Sequence, residues 1–348
     1  MSELSQLKFP AIYSQLAKDF IDTIIQGSAI DFSISKGLEL LNIPANILQD
    51  PDACLDGEQI RLLLTLGQLL AKKDSPFSIQ ITQHFKEDTL GMLGLAIINA
   101  DDADQALNLF QKYAELYIPG FDFSLNYDEK NLDIEMQPLV NLKKIEPIFI
   151  ELIFGAFDFY AKRAGLNAKG EYYFSHDISA YKATLEKQFE CPVYSLSPVS
   201  KIRIPLSALS QKVKSPNSSM LTFYIAQLEL DKAKREQQKS IGFQARRILY
   251  HKGKKGIFLN RDQLADELSC SHRTLTRKLK ADGLSFQSLL DEVRFSMAKQ
   301  ILYQSNKSTK LVASHIGINN PAVFCRAFKK WSGMTPSEYR HSMDIKKT

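Results

Sequence analysis

Six side chains toward the C-terminal end of this chain are of the types that read the edges of base pairs. They are Arg273, Thr276 and Arg277 and, further on, Ala322, Cys325 and Arg326. Arginine forms two hydrogen bonds to guanine, threonine bonds to either kind of base edge, and small side chains touch the thymine methyl. Around them stand Ser271, Lys280, Asn320, Lys329, Lys330 and Arg340. These suit phosphate, which sets register without reading sequence. Ser271, Asn320 and Thr335 also read as helix caps, and the amino end of a helix itself attracts phosphate. The chemistry of the set is recognition of double-stranded DNA, not catalysis.

Such residues need exposed helix faces to carry them. Phe324, Phe328 and Trp331 recur at spacings of four and three and so share one buried face, with Ala322, Cys325, Arg326 and Lys329 opposite. Asn320-Pro321 reads as an N-cap and first helical residue. Before it, Val312-Ala313 and Ile316 fit a short helix, and Gly317 fits a tight turn. After it, Thr335-Pro336-Ser337-Glu338 forms a capping box that starts another helix. Two helices about a glycine turn, the second apolar on one side and basic on the other, predict a helix-turn-helix.

Three ordinary packed helices would show the same buried faces, but the pattern occurs twice. Leu264-Ala265, Leu268, Leu275, Arg277, Lys280 and Gly283 run in the order of Val312-Ala313, Ile316, Phe324, Arg326, Lys329 and Gly333. The offset drifts from 48 to 49 to 50, so the helices correspond while the turns differ by a residue. Between the copies Ser285 caps a long helix with an apolar stripe from Phe286 through Leu289, Val293 and Met297 to Leu302. About eighteen residues at ~1.5 Å make a rod of roughly 27 Å. Successive major grooves lie about 34 Å apart, so one polypeptide is expected to place two helices in neighbouring grooves.

On these motifs residues 243–340 resemble the DNA-binding domain of the AraC/XylS family of bacterial transcription regulators. The double helix-turn-helix carries the likeness, with the run from Arg326 to Trp331 and the sequence Gly333-Met334-Thr335-Pro336-Ser337-Glu338-Tyr339-Arg340. Ile318 departs from the family's usual phenylalanine but keeps an apolar plug. The resemblance implies control by a small-molecule effector, work with RNA polymerase, and activation more often than repression.

Charge divides along the chain. Residues 240–348 hold 20 Lys and Arg against 8 Asp and Glu, whereas residues 1–239 hold 24 against 31. A basic module joined to a mildly acidic one fits phosphate binding at one end. Cys54, Cys191, Cys270 and Cys325 show no CxxC and no zinc spacing, so no disulfide, metal or cofactor is expected. The N-terminus has no signal-peptide core and no window is apolar enough for a membrane span, so a cytoplasmic, reduced protein is expected.

Residues 1–230 read as a mixed α+β domain. Helices are predicted over 21–41, 57–71, 90–99, 101–117, 148–164 and 181–189. Strands are predicted over 77–85, 172–174 and 200–204, with a hairpin over 121–136. The stretches 91–113 and 180–209 resemble, more weakly, the arabinose-binding-like N-terminal region of some AraC-type regulators. That likeness implies sensing or dimerisation and does not make arabinose the ligand. The aromatic helix with Phe149, Phe154, Phe157, Phe159 and Tyr160 reads as core, with an apolar ligand pocket as the alternative. No effector-binding residue is assigned. His176-Asp177 adjacency is no evidence for a catalytic pair. The stripe Leu221, Tyr224, Ile225, Leu228 reads as packing or a homodimer contact, and the polar residues 231–242 read as a linker to an all-α domain over 243–348. Two other readings share the basic domain: a DNA-modifying or repair enzyme, and a non-specific architectural DNA binder.

Overall fold

The computed structural model describes residues 3–10, 43, 54–71, 76–140, 142, 145–167, 169–236, 241–304 and 307–345. The chain divides into two compact units, one of Ser2–Ser195 with Ser200–Gln238 and one over Lys239–Thr348.

The first unit is α+β. Helix α1 (Glu3–Gln6) leads into β1 (Lys8–Pro10), which pairs antiparallel with β2 (Cys54–Asp56). Asp56 then caps α2 (Gly57–Leu70), its Oδ1 accepting from the amides of Glu58 and Gln59 at 2.9 Å each. Helices α3 (Phe77–Thr82), α4 (Gly91–Ile98) and α5 (Ala103–Tyr117) follow. The predicted hairpin is β3 (Phe121–Tyr127) and β4 (Asn131–Pro138), turned by Asp128, whose Oδ1 accepts from the amides of Lys130 and Asn131. The long α6 (Glu146–Ala164) stops at Gly165, which takes the left-handed conformation at φ 73°. Then come β5 (Glu171–Tyr173), α7 (Lys182–Phe189), β6 (Val193–Tyr194), β7 (Ser200–Pro205) and α8 (Ser218–Glu236). The five-stranded sheet has the order β3-β4-β7-β5-β6. Its β5–β6 pair is parallel and its other pairs antiparallel.

One expectation is corrected here. Residues 77–85 do not form a strand: Phe77–Thr82 is helical, and Phe77 through Ile81 are all buried. Alternation tells strand from helix only when one face is wet, and here neither is. The polar stretch that begins at residue 231 is helical at first, because α8 continues to Glu236. The predicted helix at 21–41 lies outside the described residues. Leu221, Tyr224 and Leu228 of the α8 stripe are buried at 5, 9 and 0% exposure, so they pack, and α8 lies against α4 and α5 of its own unit.

His176 finds a carboxylate, but it is not its neighbour. Its Nε2 lies 2.8 Å from Oε1 of Glu151 on α6. Glu151 is itself buried, and it accepts hydrogen bonds from Ser78 Oγ and Tyr181 Oη, each at 2.5 Å. One acid thus joins α3, α6, the loop after β5 and the start of α7. Its lone pairs are satisfied by three donors, the condition under which a buried carboxylate is tolerated.

The second unit is all α: α9 (Ile241–Lys254), α10 (Arg261–Glu267), α11 (His272–Ala281), α12 (Phe286–Gln304), α13 (Thr309–His315), α14 (Pro321–Ser332) and α15 (Pro336–Ile345).

Candidate nucleic-acid interface

The two modules share the hydrogen bonds of their first caps and turns. Asn260 caps α10 and Ser308 caps α13, each accepting from the amide three residues on. At the exits, the Ser269 amide donates to Asp266 O at 2.9 Å and the Gly317 amide to Ser314 O at 3.1 Å. The Cys270 amide bonds Ala265 O at 3.0 Å and the Ile318 amide bonds Ala313 O at 2.9 Å. Each turn passes through the left-handed region, at Ser269 (φ 50°) and at Gly317 (φ 69°). Ser271 then caps α11 through the Thr274 amide at 3.2 Å. Asn320 caps α14 through the amides of Ala322 (2.8 Å) and Val323 (3.3 Å). Gly283 and Gly333, at φ 75° and 79°, follow the second helices.

The sequence hid one difference: the first turn places a serine where the second has glycine. A non-glycine residue there costs about 1–2 kcal/mol, less the ~0.5–1 kcal/mol entropic penalty of glycine. Ser269→Gly is therefore expected to raise stability by about 0.5–1 kcal/mol, measured by urea denaturation.

Apolar anchors point each reading helix outward. Leu275 and Leu279 of α11 are at 0 and 1% exposure, and Phe324 and Phe328 of α14 at 0%. That burial turns Arg273, Thr276, Arg277 and Lys280 to solvent on α11 and Ala322, Arg326, Lys329 and Lys330 on α14. Cys325 is half-buried on the same helix. Among the described residues no salt bridge engages Arg273, Arg277 or Arg326, so their guanidinium donors are available to an incoming anion or base.

Arg340, expected at phosphate, also holds two main-chain carbonyls. It is half-buried, and its guanidinium donates to the carbonyls of Leu302 (3.3 Å) and Lys307 (2.7 Å). It ties the end of α12 to the start of the second module. The sequence also gave no sign of Arg294 as a positioning residue. It lies in the middle of α12, among residues read as an apolar stripe. It donates to Ile316 O and Gly317 O at 3.0 Å each, and it covers the Phe258 ring at 5.5 Å. Burial lowers its pKa, since water no longer shares the charge. At the other side of α12, buried Arg246 of α9 pairs with Glu292 at 2.7 Å. The rod is thereby clamped to α9 and to the turn of the second module. At 19 residues it spans about 28 Å.

In the first unit, burial pushes the Cys191 thiol up to about 11, with the nearby Asp158 charge adding to the effect. It is a thiol rather than a nucleophilic thiolate at neutral pH. Among the described residues no group of His, Cys, Asp and Glu is placed to hold a metal ion, and no helix is long and apolar enough to cross a membrane.

A pair of helix-turn-helix modules, each with an outward cationic reading helix and joined by one clamped rod, defines a DNA-binding transcription regulator. Comparison with known proteins agrees. Residues 264–342 match the helix-turn-helix domain family, and residues 33–213 match the arabinose-binding domain of AraC transcription regulators, N-terminal. The chain belongs to the AraC family of transcription regulators, and its first unit is the family's N-terminal ligand-binding domain.

Among its relatives, an uncharacterized HTH-type transcriptional regulator of Mycobacterium tuberculosis is 24% identical, over 84% of this chain and 86% of that one. The ornithine utilization regulator of Pseudomonas aeruginosa is 24% identical over 85% and 87%. The urease operon transcriptional activator of Escherichia coli is 39% identical over 23% of this chain and 27% of its own. The crystal structure of the transcriptional regulator CdpR from Pseudomonas aeruginosa is similar over 90% of this chain and 100% of that chain, at 18% identity and a TM-score of 0.44. Neither family match is to an enzyme.

Proposed function

We propose that the chain is a sequence-specific transcription activator whose operator affinity is set by a small molecule bound in its first unit. Residues 1–230 sense, residues 231–242 connect, and residues 243–348 bind the promoter and work with RNA polymerase. The observation that carries this reading is the repeat of one hydrogen-bonded module with unpaired arginines on the outward face of each second helix. Arg273, Thr276, Arg277, Ala322, Cys325 and Arg326 read bases, whereas Ser271, Lys280, Asn320, Lys329, Lys330 and Arg340 meet phosphate. Activation rests on the likeness of 23% of this chain to the urease operon transcriptional activator. Homodimerisation belongs to the same reading, with the exposed Met220, Phe223 and Leu230 on one side of α8 as its apolar candidates.

Binding titrations on operator variants test the assignment. Arg326→Ala is expected to cost about 1–3 kcal/mol and to relax preference at one base position. Lys329→Ala is expected to weaken all sites alike and to lower the salt dependence by about one ion. If Arg326→Ala leaves the ranking of operator variants unchanged, the base-reading role is wrong.

A further inference from the structure

The first unit holds a partly open pocket of about 120 Å³ between its helices and its sheet. Ile97 of α4, Phe110 of α5 and Phe157 and Tyr160 of α6 form one wall; Ile202 of β7 and Tyr172 of β5 form the other. The space exists because small residues stand where the layers meet: Ala103 and Ala106 on α5, Ala156 and Ala161 on α6, Gly170 before β5 and Ala208 after β7. Among the described residues no charged side chain lines it. The Tyr160 hydroxyl on its wall is already engaged, accepting from the Leu90 amide at 2.9 Å and donating to Glu87 O at 3.1 Å.

This lining decides the class of molecule that fits. An ionised group placed inside would lose its hydration with nothing to replace it, and a sugar would bury hydroxyls without partners. Hydrocarbon loses nothing there. Apolar cavities of roughly 150 Å³ stay dry and take benzene or xenon, so the space here suits one ring or a chain of a few carbons. We infer that this cavity is the binding site for an uncharged hydrocarbon group, and that the small molecule controlling this regulator carries such a group. The second half of the inference rests on the regulator reading above; the first does not.

The position of the cavity also suits control. Ala208 and Leu209 close it from the segment that follows β7. That segment is held to the start of α5 by hydrogen bonds from the amides of Ala103 to Gln211 O and Asp104 to Leu209 O, both 3.0 Å. The chain then runs directly into α8 and on to the DNA-binding unit. A ligand in the cavity presses on the last wall before that exit.

Thermal denaturation of the full-length protein tests the site, with toluene and L-arabinose as probes. Toluene is expected to raise the melting temperature saturably, and arabinose is expected to leave it unchanged. Ala106→Leu and Ala156→Leu each fill the space and are expected to weaken toluene by about tenfold or more. A crystal of the unaltered protein under xenon pressure is expected to show xenon between Phe157 and Ile202, which covers the case in which a filled variant fails to fold. The inference is overturned by any of three results: no saturable shift with toluene, an equal shift in both variants, or a cavity without xenon. An arabinose shift that Ala106→Leu removes would overturn it too. Operator footprinting without any added compound tests the regulator reading separately. A failure there would cut the cavity's link to control and leave the hydrocarbon site standing.

Discussion

Gly317→Ala is expected to destabilise the second unit by about 2–5 kcal/mol and to remove protection at one half of the operator. Two effects add. The backbone at φ 69° costs an alanine about 1–2 kcal/mol. The new Cβ would stand 2.4 Å from Cδ2 of Phe258, a contact impossible without moving the ring, and overpacking of this kind costs about 1–3 kcal/mol. The same ring lies under the Arg294 guanidinium that holds the carbonyls of Ile316 and Gly317. Moving it therefore loosens the turn that aims α14. Trp331, the one tryptophan of the chain, sits on α14 and reports the transition by fluorescence in urea. Gly333→Ala is the control. Its φ is 79°, but nothing lies within 4 Å of the added carbon, so only the backbone cost of about 1–2 kcal/mol remains. A double variant with Phe258→Ala should recover part of the Gly317→Ala loss. Equal losses for the two glycine variants would show that Phe258 yields freely.

Glu151→Ala is expected to destabilise the first unit by about 3–5 kcal/mol, the usual loss when one partner is removed from a buried charged network. Ser78, Tyr181 and His176 would all lose their acceptor at once. His176 has no second partner to turn to, because its Nδ1 is buried without a hydrogen bond among the described residues. Far-UV circular dichroism in urea should show an early transition, while the Trp331 fluorescence transition stays where it was. A loss below about 1 kcal/mol would mean that water reaches and satisfies these groups.

The reading helices were legible in the sequence because their signals are local. A cap, a proline, a glycine and two apolar residues four apart lie within a dozen positions, and each acts on its near neighbours. The repeat then supplied a second reading of the same message. Residues 77–81 were misread because burial on both faces erases the difference between the periods of strand and helix. Arg294 and Arg340 were out of reach for another reason. Their partners are main-chain carbonyls 22 to 38 residues away, and a carbonyl looks the same at every position of a sequence. Glu151 and His176 were each visible, but only the fold brings α6 to the loop after β5. The cavity is harder still, since it is a space between layers created by six small residues that no local pattern connects.

The extra residue in the second turn has a consequence for the promoter. Because Ser269 to Ser271 is one residue shorter than Gly317 to Asn320, the two probes are not interchangeable copies related by a dyad. A single chain therefore lies on DNA with a front and a back, like an arrow. Inverting its target in place is expected to reverse the molecule on the DNA, which footprinting of the two orientations would show.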